Sequence, residues 1–232
     1  MGKETEQKQE IVNQGVHRYS QEEAYVWPEE PVLREQLEWF QDQKLALMVH
    51  WGMYNQLGMV ASWALSDEDA EWSRKTVDWT DDGELFKRQY RALNRAFDPV
   101  AFQPEEWAKM AKKCGFRYLI LTTKHHDGFC LWDTAYTEYK TTAEECPFHT
   151  HKYADIVRAM FDAFRKEGLG IGAYFSKADW HCPDYWETEK ALTRKTTRNP
   201  TYDPKENPEA WERFRAFTRD QILELGKQYG RL

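Results

Sequence analysis

The chain has 232 residues, 41% of them hydrophobic, with a formal net charge of -7. That composition suits a globular fold with a sizeable core and argues against disorder, while the acidic balance and the lack of a basic cluster argue against nucleic acid as a partner. No run approaches the roughly 20 apolar residues of a membrane span, and the four cysteines (Cys114, Cys130, Cys146, Cys182) form no CxxC pair that would suggest a zinc site. Eleven Trp and an aromatic content of 15% suit either stacking on sugar rings or an aromatic core.

Residues 1–35 read as a polar N-terminal arm with no apolar leader segment, punctuated by Pro28 and Pro31. Gln36–Asp42 has the pattern of a short helix. Lys44–Gly52 then reads as a first buried strand whose apolar run ends in His50-Trp51-Gly52. Met53–Asp82 is a long excursion with three Trp, and long loops of that kind inside a compact domain are usually functional. Two helices follow, Gly83–Phe97 and Pro104–Cys114; the second carries Trp107, Met110 and Ala111 on one face, and Gly115 suits its C-cap.

Tyr118–Lys124 is an apolar, β-branched run that passes directly into His125-His126-Asp127-Gly128. A buried strand ends in polar side chains of this kind when its tip opens onto a ligand pocket. Adjacent residues of a strand point to opposite faces, so His125 and His126 share a pocket only if the strand bends or breaks there, as Gly128 would allow. A loop from Leu131 to Lys152 leads to an amphipathic helix over Tyr153–Glu167, with Ile156, Val157, Met160, Phe161 and Phe164 in one stripe. Leu169–Ser176 is a third strand, and its tip continues into Lys177–His181. Glu187–Pro208 reads as polar loop, and Glu209–Tyr229 as a further helix.

This alternation, with long loops after strands and short turns after helices, predicts the opening half of a (β/α)8 barrel, its first three βα units in residues 36–232. A doubly wound sheet is weakened by the lack of a glycine-rich phosphate loop after the first strand. Three parallel strands cannot close a barrel. The expectation is therefore an incomplete catalytic domain, truncated before strand four and lacking its C-terminal half.

His50-Trp51-Gly52, the block Lys124-His125-His126-Asp127-Gly128-Phe129-Cys130-Leu131-Trp132, and Tyr174-Phe175-Ser176 with Asp179-Trp180-His181 resemble, in order and spacing, the N-terminal half of the α-L-fucosidases of glycoside hydrolase family 29. The resemblance implies a (β/α)8 catalytic domain that releases terminal α-L-fucose from glycans or glycoconjugates with retention, without metal or organic cofactor. It implies a periplasmic, secreted or lysosomal setting. It also implies that His50, His125 and His126 bind the fucose hydroxyls and that Tyr174 lies close to the sugar. Trp51, Trp132 and Trp180 are candidate pocket walls. Glu71 of Glu71-Trp72 is the candidate for the family's sugar-contacting acid, although its surroundings depart from the usual Ser-Glu-Trp-Tyr form. The nucleophile and the acid/base of the family fall beyond Leu232, so the chain alone is expected to be inactive.

Two other readings use the same residues. A metal-dependent barrel hydrolase would draw on His50, His125, His126 and Asp127 as ligands, but adjacent histidines are awkward tetrahedral ligands. A fucose-binding, non-catalytic member of the family would need no carboxylates. Asp127 is expected either to orient a neighbouring His or, the structural role preferred here, to cap the turn after it; His149 and His151 are expected to be structural, and Asp179 and His181 to line the pocket rim or support it from behind.

Overall fold

The computed structural model describes residues 26–68 and 71–231, and of Glu71 the backbone alone. By backbone contacts the chain divides into Met1–Lys44 and Leu45–Leu232.

The described part of the first unit is one helix, α1 (Pro31–Gln43). It starts five residues before the helix expected at Gln36, because Pro31 sits at its first turn and the Glu30 carboxylate accepts from the Val32 and Leu33 N–H groups. Glu is an uncommon N-cap, which hid the start. None of its residues is buried, so the patch at Trp39 and Phe40 is exposed.

The second unit is an α/β fold on a three-stranded parallel sheet, β1 (Ala46–Val49), β2 (Tyr118–Lys124) and β3 (Gly170–Phe175), in that order. Ala46 pairs with Tyr118 and Tyr118 with Gly170, so all three strands run toward the same edge in step. β2 is central, and its Leu119 and Leu121 are fully buried. The expectation of a buried first strand needs correction: β1 lies at the edge of this sheet, and Leu45 and Met48 are each 47% exposed.

Between β1 and β2 the chain makes three short 3-10 turns (Met53–Leu57, Ser62–Leu65, Glu71–Thr76), then α2 (Gly83–Arg91) and α3 (Pro104–Lys113). The helical pattern expected to Phe97 tightens after Arg91 into a 3-10 segment, Ala92–Ala96. In α3 the buried face is Pro104, Ala108 and Ala111; Met110, read onto one face with Trp107 and Ala111, is 59% exposed. Between β2 and β3 lies α4 (Ile156–Lys166), whose stripe of Ile156, Val157, Met160, Phe161 and Phe164 is wholly buried against α3, β2 and β3. Burial of each large side chain there contributes about 1.5–3 kcal/mol.

After β3 the segment expected as polar loop contains a short helix, α5 (Thr188–Thr193), which packs on α2 through buried Ala191 and Leu192. α6 (Pro208–Tyr229) closes the unit, burying Phe214, Leu225 and Tyr229 and two polar side chains, Gln221 and Glu224.

Candidate functional site

β2 does not run straight through its polar tip. The pairing of β2 with β3 is irregular between Thr122 and Lys124, and the strand stops at Lys124. His125 to Gly128 then form a tight turn closed by the Gly128 N–H donating to the His125 carbonyl (3.1 Å). Gly128 has φ +80°, the left-handed region, and a Cβ there would lie 2.5 Å from Asp179 Oδ1. This break lifts the strict alternation of a strand and lets consecutive histidines share one site.

Four predicted residues meet at the strand ends. The ring of His50, just past β1, lies 4.9 Å from that of His125 and 5.7 Å from that of Tyr174 on β3. His125 is 4.8 Å from His126 and stacks at 6.0 Å with Tyr174. All three imidazoles are tied down through the same nitrogen. Nδ1 of His50 bonds Tyr54 OH (2.8 Å), Nδ1 of His125 bonds Ser62 Oγ (2.5 Å), and Nδ1 of His126 bonds the Ala178 carbonyl (3.1 Å). Among the described residues Nε2 of each makes no hydrogen bond. A carbonyl only accepts, so His126 carries its proton on Nδ1 and presents Nε2 as an acceptor.

Burial lowers the pKa of all three rings, that of His125 to about 2, where the neighbouring His126 and His50 add to the effect. At neutral pH the cluster is a set of neutral rings with donor and acceptor sites, suited to a polyhydroxylated ligand and carrying no positive charge.

Aromatic side chains close around the cluster, but not all those expected. Trp180 stacks under His126 (4.7 Å between centroids) and on Trp186 (4.9 Å). Trp63, from the long excursion after β1, lies 4.9 Å from His126 and 5.7 Å from His125. Trp51 instead packs among Phe97, Phe102 and Trp107. Trp132 is fully buried, and its Nε1–H donates to Glu224 on α6 (2.9 Å). The structure therefore does not bring Trp51 and Trp132 to the histidines. The side chain of Glu71 lies outside the described residues.

Tyr54, Ser62 and Trp63 have no motif of their own, and three Trp in one long loop were the only signal for that segment. Gly52 allows the Tyr54 contact, since a Cβ at position 52 would lie 2.6 Å from Tyr54 Cε1.

Two carboxylates lie behind the histidines, and both are engaged. Asp127 caps its own turn, accepting from the Phe129 N–H (3.1 Å) and from Tyr90 OH (2.8 Å); burial raises its pKa to about 6. Asp179 pairs with Lys124 (2.8 Å) and accepts from the His181 and Cys182 N–H groups. Burial alone would raise its pKa, but the Lys124 charge outweighs that and holds it below the usual carboxylate range. His181 stacks on Tyr139 at 3.8 Å. His149 and His151 make local contacts with Cys146 and Phe148. Among the described residues no group of three or more His, Cys, Asp or Glu is placed to hold a metal ion.

Comparison with solved structures first defines the class. The chain is similar to the GH29 α-L-fucosidase of Bacteroides thetaiotaomicron, at 31% identity and a TM-score of 0.62, over 87% of this chain and 39% of that one. It is also similar to α-L-fucosidase isoenzyme 1 of Paenibacillus thiaminolyticus, at 30% identity and a TM-score of 0.62, over 85% of this chain and 41% of that one. The Bacteroides enzyme has also been solved as a trapped covalent intermediate with 2-fluoro-fucosyl fluoride. Among curated relatives, rat (Rattus norvegicus) plasma α-L-fucosidase is 29% identical over 158 residues, 68% of this chain and 33% of that protein. The family model for α-L-fucosidase matches residues 12–231, and the chain belongs to that glycoside hydrolase family. It spans about a third of the length of the curated relatives that match most of it.

Proposed function

We propose that the strand-end cluster of His50, His125, His126 and Tyr174 is the fucose-recognising wall of a retaining α-L-fucosidase site. The observation that carries this reading is the common design of the three imidazoles. Each is neutral, each is anchored through Nδ1, and each keeps Nε2 for a ligand. Three fixed, uncharged rings orient a sugar by its hydroxyls, and their bonds strengthen as charge develops at the anomeric carbon. Trp63 supplies apolar area beside them, suited to the C6 methyl of fucose, while Trp180, stacked between His126 and Trp186, backs the His126 ring.

On this reading the three parallel strands belong to a (β/α)8 barrel, whose loops after the strands form the site. The substrate is a fucosylated oligosaccharide or glycoconjugate. Retaining chemistry needs two carboxyl groups roughly 5–5.5 Å apart, one as nucleophile and one as acid and then base. Asp127 and Asp179 are spent on buried structural bonds, so neither is free to act as nucleophile or acid/base; on the family resemblance both catalytic carboxylates are proposed to lie outside these 232 residues. The chain on its own then binds fucose without hydrolysing it.

The test is turnover of an aryl α-L-fucoside, followed by proton NMR of the first-formed sugar. A longer polypeptide that contains this chain should release α-L-fucose, and His125→Ala should lower kcat/KM at least a hundredfold. The 232 residues alone should give no turnover. First-formed β-L-fucose, or full activity in the His125 variant, would overturn the reading.

A further inference from the structure

Lys124 and Asp179 form the most deeply buried ion pair among the described residues, with side chains 0% and 3% exposed. Charges so far from water are costly unless every hydrogen-bonding position is used, and here they are used with direction. Lys124 Nζ donates to Asp179 Oδ2 (2.8 Å) and Gln221 Oε1 (2.9 Å) and lies over the rings of Phe175 (4.4 Å) and Phe217 (5.2 Å). The other oxygen, Asp179 Oδ1, accepts from the backbone N–H groups of His181 (2.9 Å) and Cys182 (2.8 Å). One carboxylate thus joins the tip of β2 to the turn that follows β3.

That turn grips His126 at three points. The Trp180 N–H donates to the His126 carbonyl (2.7 Å), the Ala178 carbonyl accepts from His126 Nδ1 (3.1 Å), and the Trp180 ring stacks on the imidazole at 22°. Lys124 lies two residues before His126, and Asp179 lies between Ala178 and Trp180. We infer that Lys124 and Asp179 are positioning residues that fix the orientation and tautomer of His126, so that Nε2 accepts from a sugar hydroxyl. The ion pair acts through the turn and touches no ligand itself. This rests on the fucose-recognition reading for its purpose, although the positioning itself does not involve sugar.

The test joins histidine-selective 15N NMR to calorimetric titration with L-fucose. In the wild type His126 should show a slowly exchanging Nδ1–H and a ring-current shift from Trp180. Asp179→Asn should lose both while the His125 signals stay in place, and fucose affinity should fall at least tenfold. Asp179→Asn leaves a buried lysine without its counter-charge. The double variant Lys124→Met/Asp179→Asn removes both charges at similar volume and protects the fold; the same loss is expected from it. A folded double variant with unchanged His126 signals overturns the inference. A wild type that shows the His126 signature but binds no fucose overturns the fucose reading alone.

Discussion

At the scale of single residues, what distinguishes the three histidines is their charge state. Burial disfavours the imidazolium, so each ring titrates below the ordinary value of 6.5. Fucose affinity should therefore be lost with a midpoint below 6.5 as pH falls; loss with a midpoint at 6.5 or above in a calorimetric pH series would show that a cluster histidine titrates normally. Gly128→Ala should destabilise by about 1–3 kcal/mol, because the new methyl meets Asp179 in a backbone conformation that alanine resists; denaturant unfolding measures this. His50, His125, His126 and Tyr174 were legible because each sits at the end of an apolar run. Their anchors, Tyr54, Ser62 and Ala178, were not, since these partners are set by how loops fold back across 4 to 63 residues of chain.

Elements were legible where periodicity was strong and obscure where tertiary packing decided. The stripe of α4 is buried as its spacing requires, and Phe161→Ala should cost about 3–5 kcal/mol in denaturant unfolding. α5 was missed because Ala191 and Leu192 are its only buried apolar residues in a polar stretch. The edge position of β1 depends on sheet order, which the strand itself does not encode.

The loop carrying Trp63 is held by a comparable tertiary device. Asp67 pairs with Arg74 (2.6 Å) and Lys87 (2.8 Å) and accepts from the Thr196 N–H (2.7 Å), joining the excursion after β1 to the segment after α5. Burial would raise its pKa, but the bonds from Lys87, Thr196 and Arg74 hold it at about 2. Its contribution is complete above pH 4 and is lost as pH falls through about 2. At neutral pH Asp67→Ala should cost about 3 kcal/mol and loosen Trp63, read as a shift in tryptophan fluorescence; an unchanged unfolding midpoint would contradict the clasp.

For the whole molecule, the site and the fold are coupled through protons. His50, His125, His126 and His181 all have lowered pKa values, about 2 for His125 and about 4 for His181. The stability they contribute is complete above 6.5 and is lost progressively as pH falls below it. Asp127, raised to about 6, and Asp155, raised by burial, act in the opposite sense: their contribution is complete below 3.8 and is lost as pH rises. The displacements of His125, to about 2, and His181, to about 4, together exceed that of Asp127, so Tm should fall between pH 7 and pH 5; a Tm that rises over that interval would reverse the balance. At this scale the parallel α/β plan was legible from the alternation of runs and long loops. The exposure of β1 at Met48 was not.

The measurement that bears most directly on the central claim is calorimetric titration of the protein with L-fucose, in the wild type and in single His125→Ala and His126→Ala variants, with His149→Ala as the control outside the cluster. Saturable binding by the wild type and the control is predicted, with affinity at least tenfold weaker in each cluster variant. Binding that survives both cluster substitutions unchanged would place fucose recognition elsewhere and contradict the account.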